Sequence, residues 1–430
     1  MYFCKGLSYK FEMKQTFKII LVVFAIIIGY YTYSYIKEET TDYGHKVVIC
    51  VPVYGQSLAL GEEAIRITDF DSLKINYNGR IMTECLDYGF GYIDDSVKKQ
   101  RLKKFLHYRK RSFELSVYAM AESLASQLGE DTLICIFPGG RGMSGIDSIS
   151  KPVPVYQKFL YEIKYAYDKS KKRGWDFFVP AICWMQGESD IIEYTGTEYE
   201  KRLKLFQENV NKDIKAITNQ KEDIRMISYQ SNDLTRAEHF NPNSYECIEM
   251  EPAQSIVNLI SYDTLFWASG PTYPYTFVNE KLHIDATGQR SIGRLDAVAI
   301  MNIIHRKEKI YGLIPTSITE SNNDIIIKFN VPKSPLIFDT ISVRPIDHYG
   351  FSVITKEGRN IISKVNINSD IVTITCSESP ENCKIRYAVN GEKMKSGNLH
   401  GPRGNLRDSS PLHNWCYQFE FTADTNKKGD

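Results

Sequence analysis

Three short segments of this chain carry residues able to act together on an ester: Gly55-Gln56-Ser57, Trp184-Met185-Gln186-Gly187-Glu188-Ser189-Asp190, and Glu280-Lys281-Leu282-His283. Ser57 closes the run Val51-Pro52-Val53-Tyr54-Gly55-Gln56-Ser57, which reads as a strand stopping at glycine and turning into a helix near Leu58. A serine there presents its hydroxyl above a sheet, beside backbone N–H groups that face developing negative charge. The same position suits a helix N-cap, the structural alternative. His283 lies just ahead of a helix opening at Ala286. An imidazole that takes a serine proton must be held in one tautomer, and a carboxylate on its far nitrogen does this. Glu280, three residues earlier, is the expected partner; an ordinary loop histidine is the alternative. Gln186 is expected to donate its amide N–H to an oxyanion, with the Ser57 N–H and a glycine of Pro138-Gly139-Gly140-Arg141-Gly142, taken as Gly140. Gln56 and Glu188 complete the substrate-facing set, and a turn of solvent-facing polar residues is the bland alternative for the middle segment.

Residues 46–306 alternate β-rich runs with amphipathic helices. Strands are expected over Lys46–Val53, Thr132–Phe137, Phe177–Met185, Ile224–Tyr229 and Thr264–Ala268. Several are apolar on successive residues, as in sheets covered on both faces. Between them, Val117, Ala121, Leu124 and Leu128, then Leu160, Ile163 and Tyr167, then Leu203, Phe206, Val210, Ile214 and Ile217 recur at helical spacing. This predicts an α/β fold, a parallel sheet with helices on both sides, whose sites form at the carboxyl ends of strands. All three segments fall at such ends. Residues 311–421 change to short alternating runs, Ile325–Phe329, Thr340–Val343, Ile371–Thr375 and Lys384–Val389, separated by Asn, Gly, Pro and Ser. They predict an accessory all-β sandwich, followed by a loose tail over 422–430.

The order and wording of the segments resemble the SGNH/GDSL hydrolase superfamily, and within it the sialate O-acetylesterase-like carbohydrate esterases. Gly55-Gln56-Ser57 matches the nucleophile block, and Trp184-x-Gln186-Gly187-Glu188-x-Asp190 matches the third block. The resemblance covers about residues 46–304. It implies a three-layer α/β/α, flavodoxin-like fold, Ser57 as nucleophile, His283 as base, Gln186 with a glycine as oxyanion donors, and Glu188 as a second support for the histidine or a contact for substrate. One departure stands out: the last block of these enzymes reads Asp-x-x-His, and here the acid position is Glu280.

Composition bounds the rest. The chain has 430 residues, 43% hydrophobic and 24% charged, with a formal net charge of +1. It can bury large cores and has no polyelectrolyte character, so nucleic acid is not an expected partner. Residues 19–36 form an apolar stretch with Lys10, Lys14 and Lys18 before it. At ~1.5 Å per residue it would cover about 27 Å. It is expected to be a transmembrane signal anchor, or a cleaved signal peptide, with 1–18 cytoplasmic, 37–45 a linker, and the catalytic part outside the cytoplasm. Nine cysteines cannot all pair internally; Cys50, Cys135 and Cys183 read as buried thiols, and Cys376 and Cys383 as a pair able to bridge a hairpin. Residues 98–111 carry eight basic side chains and no acid, a solvated helix face or a contact for anionic lipid or acidic glycan. Gly401–Ser409 is either a structural Arg-Asp loop or a segment leaning over the site.

The sequence therefore points to an exported serine esterase acting on O-acetylated carbohydrate, with no metal or organic cofactor. The rival reading is a non-catalytic glycan-binding or surface-assembly protein that retains the fold; a lipid esterase is a weaker third.

Overall fold

Alternate side chains of each central strand enter two different cores, and this builds the layers. In β1 (Val47–Gly55), Val48, Cys50 and Tyr54 join one core, while Ile49, Val51 and Val53 join the other. β3 (Thr132–Gly140) and β5 (Ala181–Met185) divide the same way: Cys135, Phe137, Ile182 and Trp184 on one face, Ile134, Ile136, Cys183 and Met185 on the other. Helices 154–172, 199–218 and 251–262 cover the first face; helices 116–125 and 286–304 cover the second. With β2 (Ile81–Met82), β4 (Asp176–Phe178), β6 (Arg225–Gln230) and β7 (Phe266–Pro271), they form a parallel sheet in the order β2-β3-β1-β5-β6-β7. β4 lies beside the start of β1 and β5 beside its end, so the single strand expected over 177–185 is interrupted at Val179-Pro180. Proline has no N–H for a ladder, which accounts for the break. The computed structural model describes residues 19–30, 44–69, 72–73, 76–82, 113–192, 198–236, 241, 250–305 and 308–423.

The β-rich part holds a four-stranded antiparallel sheet, a three-stranded one and a two-stranded one around a core that includes Ile325, Ile327, Phe351, Val372, Ile374, Ile385, Tyr387 and Phe419. Residues 340–343, expected as a strand, instead begin with a turn. Asp339 takes the N–H groups of Ile341 and Ser342 and the Ser342 hydroxyl on its carboxylate, which bends the chain back on itself. Cys376 and Cys383 are buried and unbridged, so the expected hairpin disulfide is absent from this structure.

Residues 19–30 are helical with apolar side chains exposed. Among the described residues no helix is long and apolar enough to cross a membrane, so the expected transmembrane span over 19–36 is not supported. Twelve residues reach about 18 Å, well short of a ~30 Å hydrocarbon core; residues 31–36 lie outside the described set, as do the whole of the basic run 98–111 and the tail from 424.

Candidate active site

The carboxyl ends of β1, β3 and β5 meet at two glycines. A Cβ on Gly55 would lie 1.9 Å from the Met185 carbonyl oxygen, and one on Gly140, at φ +113°, would lie 1.8 Å from the Gly55 carbonyl oxygen. Only glycine lets three chains approach this closely. The Gln56 N–H donates to Met185 O (3.0 Å) and the Arg141 N–H to Gly55 O (3.1 Å), locking the junction. The chain then enters a 3-10 turn, Ser57–Leu60, fully buried, with Ser57 5% exposed. The cap position of this turn is Gln56 and no side chain caps it, so the N-cap alternative for Ser57 does not apply. Gly61, in a left-handed conformation, ends the turn, and the Glu62 N–H returns to Ser57 O at 3.1 Å.

His283 is fixed from both sides. Its carbonyl accepts from the Val278 N–H (2.7 Å), and the Asp285 N–H donates to Thr276 O (2.9 Å), closing the loop 276–285 on itself. Asp285 caps the next helix through the Gly288 N–H at 2.8 Å. The imidazole is largely buried, with Nδ1 2.7 Å from Glu63 Oε2 and Nε2 4.0 Å from Glu62 Oε2. The turn that starts at Ser57 therefore supplies a carboxylate on each side of the ring. Glu62 is partly buried, and its carboxyl is raised by that burial against the nearby His283 charge.

Glu280 does not face His283. Its Oε2 lies 2.5 Å from His400 Nδ1, and its Oε1 accepts from Lys395 Nζ at 3.4 Å. These partners, His400 foremost, hold its carboxyl below the usual range. Asn279 and Glu280 both have left-handed backbones, which turns the side chain toward the β-rich part. Three-residue spacing alone does not fix the direction of the acid, and here the left-handed pair Asn279-Glu280 sends it to His400 and Lys395.

Gln186 is also used otherwise than expected. Its Nε2 donates to Ser144 O (3.1 Å) and to Asp190 Oδ2 (2.5 Å), and its Oε1 accepts from the Tyr199 hydroxyl (2.7 Å). With both amide hydrogens engaged, no side-chain donor is left for an oxyanion. Asp190 in turn accepts from the Ile146 N–H at 3.0 Å. Trp184–Asp190 thus clamps the loop that follows Gly140. Gln56 Oε1 accepts from the Ser189 N–H at 3.3 Å, tying the Ser57 turn to the same clamp.

Glu188 is 2% exposed and accepts the Tyr229 hydroxyl on one oxygen, while the other has no hydrogen-bond partner. Burial, then the charge of Asp233, raises its carboxyl strongly. Asp233 is buried too; it accepts from Ser396 Oγ (2.9 Å) and sits 3.5 Å from Arg236 Nε. Burial raises its carboxyl, against the charges of Arg236 and His283 nearby. Glu188 thus feels the charge of Asp233, and Asp233 that of His283, while the hydrogen bond that Glu188 accepts comes from Tyr229.

The segment of the β-rich part that reaches the site is 392–400. Thr235 Oγ1 donates to Lys395 O (2.5 Å) and the Ser396 N–H to Glu280 O (3.1 Å). Gly401–Ser409 takes the structural alternative: Arg403 donates to the carbonyls of Arg344, Gly401 and Pro345, and Asp408 accepts from Ser410 and Asn414. Sequence reasoning missed Glu63, and it missed Gln289, which donates to Leu58 O (2.8 Å) and accepts from the Ser116 N–H (3.1 Å), joining the Ser57 turn to the helix that follows His283. It also missed fully buried Glu114, which holds Ile67 and Thr68 and pairs with Arg290. Glu63, directly after Gly61-Glu62, had no motif to mark it; Gln289 carried a faint signal as an amide on the apolar face of a helix. Among the described residues no cluster of three or more His, Cys, Asp or Glu is placed to hold a metal ion.

A parallel sheet covered by helices on both faces, with the Ser57 turn and the buried His283 beyond its strand ends, is an arrangement of the SGNH type. Residues 116–302 match the model of the family described as carbohydrate esterase, sialic acid-specific acetylesterase. Among solved structures, a carbohydrate acetylesterase from Xanthomonas citri shares the fold, with a TM-score of 0.57 at 14% identity over 87% of this chain and 80% of that one. NanS gives 0.41 at 14% identity over 61% and 99%, and a protein from Arabidopsis thaliana 0.40 at 14% over 59% and 98%. No curated protein sequence matches the chain.

Proposed function

We propose that this protein removes O-linked acetyl groups from a carbohydrate by way of an acetyl-serine intermediate. The observation that carries the reading is the convergence of the Ser57 turn and His283, with a carboxylate 2.7 Å from the imidazole Nδ1. Ser57 Oγ attacks the acetyl carbonyl as His283 takes its proton; the histidine returns that proton to the departing sugar oxygen. Water activated by the same imidazole then releases acetate and restores the serine. The oxyanion is held by main-chain N–H groups of Ser57 and Gly140, since the Gln186 amide is engaged by Ser144, Asp190 and Tyr199. The apolar run 19–36 behind three lysines supports placing the catalytic part outside the cytoplasm. Protease added to cells whose outer barrier is opened while the cytoplasmic membrane stays sealed digests it if so, and leaves it whole otherwise.

The test is acetate release from a panel of O-acetylated sugars, sialic acids among them, against an aryl acetate. Faster turnover of at least one acetylated sugar supports the reading. Release from the aryl ester alone, with every sugar inert, counts against a carbohydrate substrate.

A further inference from the structure

We infer that Glu63, six residues after the nucleophile, is the positioning carboxylate of His283, and that Glu280 serves instead as a clasp for the β-rich part. This rests on the reading of Ser57 and His283 as nucleophile and base. Four observations carry it. Glu63 Oε2 is 2.7 Å from His283 Nδ1, within the range of a charge-assisted hydrogen bond, while Glu62 Oε2, on the other nitrogen, is 4.0 Å away. Both oxygens of Glu280 are occupied by His400 and Lys395, and its carbonyl accepts the Ser396 N–H.

Glu63, moreover, has φ +63°, a left-handed backbone uncommon for a residue with a Cβ. Such a conformation persists only where the surroundings enforce it, and it is frequent at functional sites. Here the enforcement is visible. The Ala64 N–H donates to Gly61 O (3.1 Å), the Glu114 N–H to Ala64 O (2.7 Å), and the Glu114 carboxylate takes the N–H groups of Ile67 (2.9 Å) and Thr68 (2.8 Å). A Cβ on Gly61 would lie 2.1 Å from Glu114 O, so the turn cannot relax in that direction. Finally, the helix after His283 is tied to the same framework, through Gln289 on Leu58 O and Arg290 on Thr68 Oγ1 (2.6 Å). Nucleophile, acid and base are thus braced by one buried scaffold. The acid comes from the nucleophile's own turn, and the position three residues before the histidine is released to hold the β-rich part.

Placing the proton on Nδ1 leaves Nε2 as the acceptor for the serine proton. Glu63→Gln keeps the size and a hydrogen-bonding group but removes the charge and leaves the tautomer unspecified. In the full-length protein, kcat on an aryl acetate is expected to fall on the order of 100-fold or more with KM nearly unchanged. Glu63→Asp should recover part of that loss, and Glu280→Gln and Glu62→Gln should each lose less than about 10-fold.

An activity-independent readout comes from the ring 15N shifts of His283, assigned by difference against His283→Asn. They should report Nδ1–H in the wild type and in Ser57→Ala, and a mixture of tautomers in Glu63→Gln. Wild-type activity and ring shifts in Glu63→Gln overturn the inference, as does a loss of 100-fold or more confined to Glu280→Gln. A wild type that releases no acetate yet shows the Glu63-dependent ring shifts overturns the esterase reading and leaves the pairing standing.

Discussion

Exchanging Glu188 for glutamine probes the buried acidic pair of Glu188 and Asp233. Glu188 is buried, one oxygen accepts from Tyr229 and the other lacks a partner. Burial first, then Asp233, pushes its carboxyl up to about 8 from an ordinary 4.5. The folded protein therefore holds this proton more tightly than the unfolded chain does. Its contribution to stability is complete below about pH 4.5 and is lost as pH rises toward 8. One proton corresponds to about 1.4 kcal/mol per pH unit, so up to about 4 kcal/mol disappears between pH 5 and pH 8. Glutamine has the shape of the neutral acid, still accepts from Tyr229 through Oε1, and never ionises. Urea denaturation at pH 5, 6, 7 and 8 should show the wild type weakening relative to Glu188→Gln, by about 1 kcal/mol per unit over that range. Parallel stability curves for the two proteins would refute the reasoning, because they would mean that Glu188 is already charged at pH 5 or is solvated.

Three further outcomes follow from the same contacts. Gln289→Ala leaves the Ser116 N–H unpaired in the core and takes one of two donors from Leu58 O, which keeps the Gly61 N–H; at ~1–3 kcal/mol for one orphaned buried group it should cost about 1–3 kcal/mol in denaturant melts, and kcat should fall with it. Gly140→Ala puts a Cβ 1.8 Å from Gly55 O in a conformation disfavoured for side chains, so soluble yield or catalysis should collapse; a well-folded, fully active Gly140→Ala would show that the strand ends are not packed as described. Gln186→Leu should lower stability by about 1–3 kcal/mol and loosen the loop after Gly140, seen as faster amide exchange over 141–146, rather than abolish only the chemical step.

Much of the fold was legible because its strands are apolar on successive residues and its helices are not. β1, β3 and β6 fall close to where β-branched and aromatic runs put them, and the helical faces of Leu203, Phe206, Val210 and Ile214 lie in the core. What periodicity missed was decided by single side chains: Pro180 interrupting a strand, and Asp339 folding 340–342 into a turn. At the site, motif order located Ser57, Trp184–Asp190 and His283 at neighbouring strand ends, but not the direction in which each side chain points. The Gln186 amide is claimed by Ser144 and Asp190, and Glu280 is rotated away by a left-handed backbone. Glu63 reaches the imidazole across 220 residues of sequence, a contact no local spacing encodes.

The central claim is that Ser57 is the nucleophile of an acetyl ester hydrolase. Acetate release by the wild type and by Ser57→Ala, measured side by side on the best acetylated sugar, tests it most directly. The account predicts steady release by the wild type and none above background by a folded Ser57→Ala. Equal release by both proteins would contradict it.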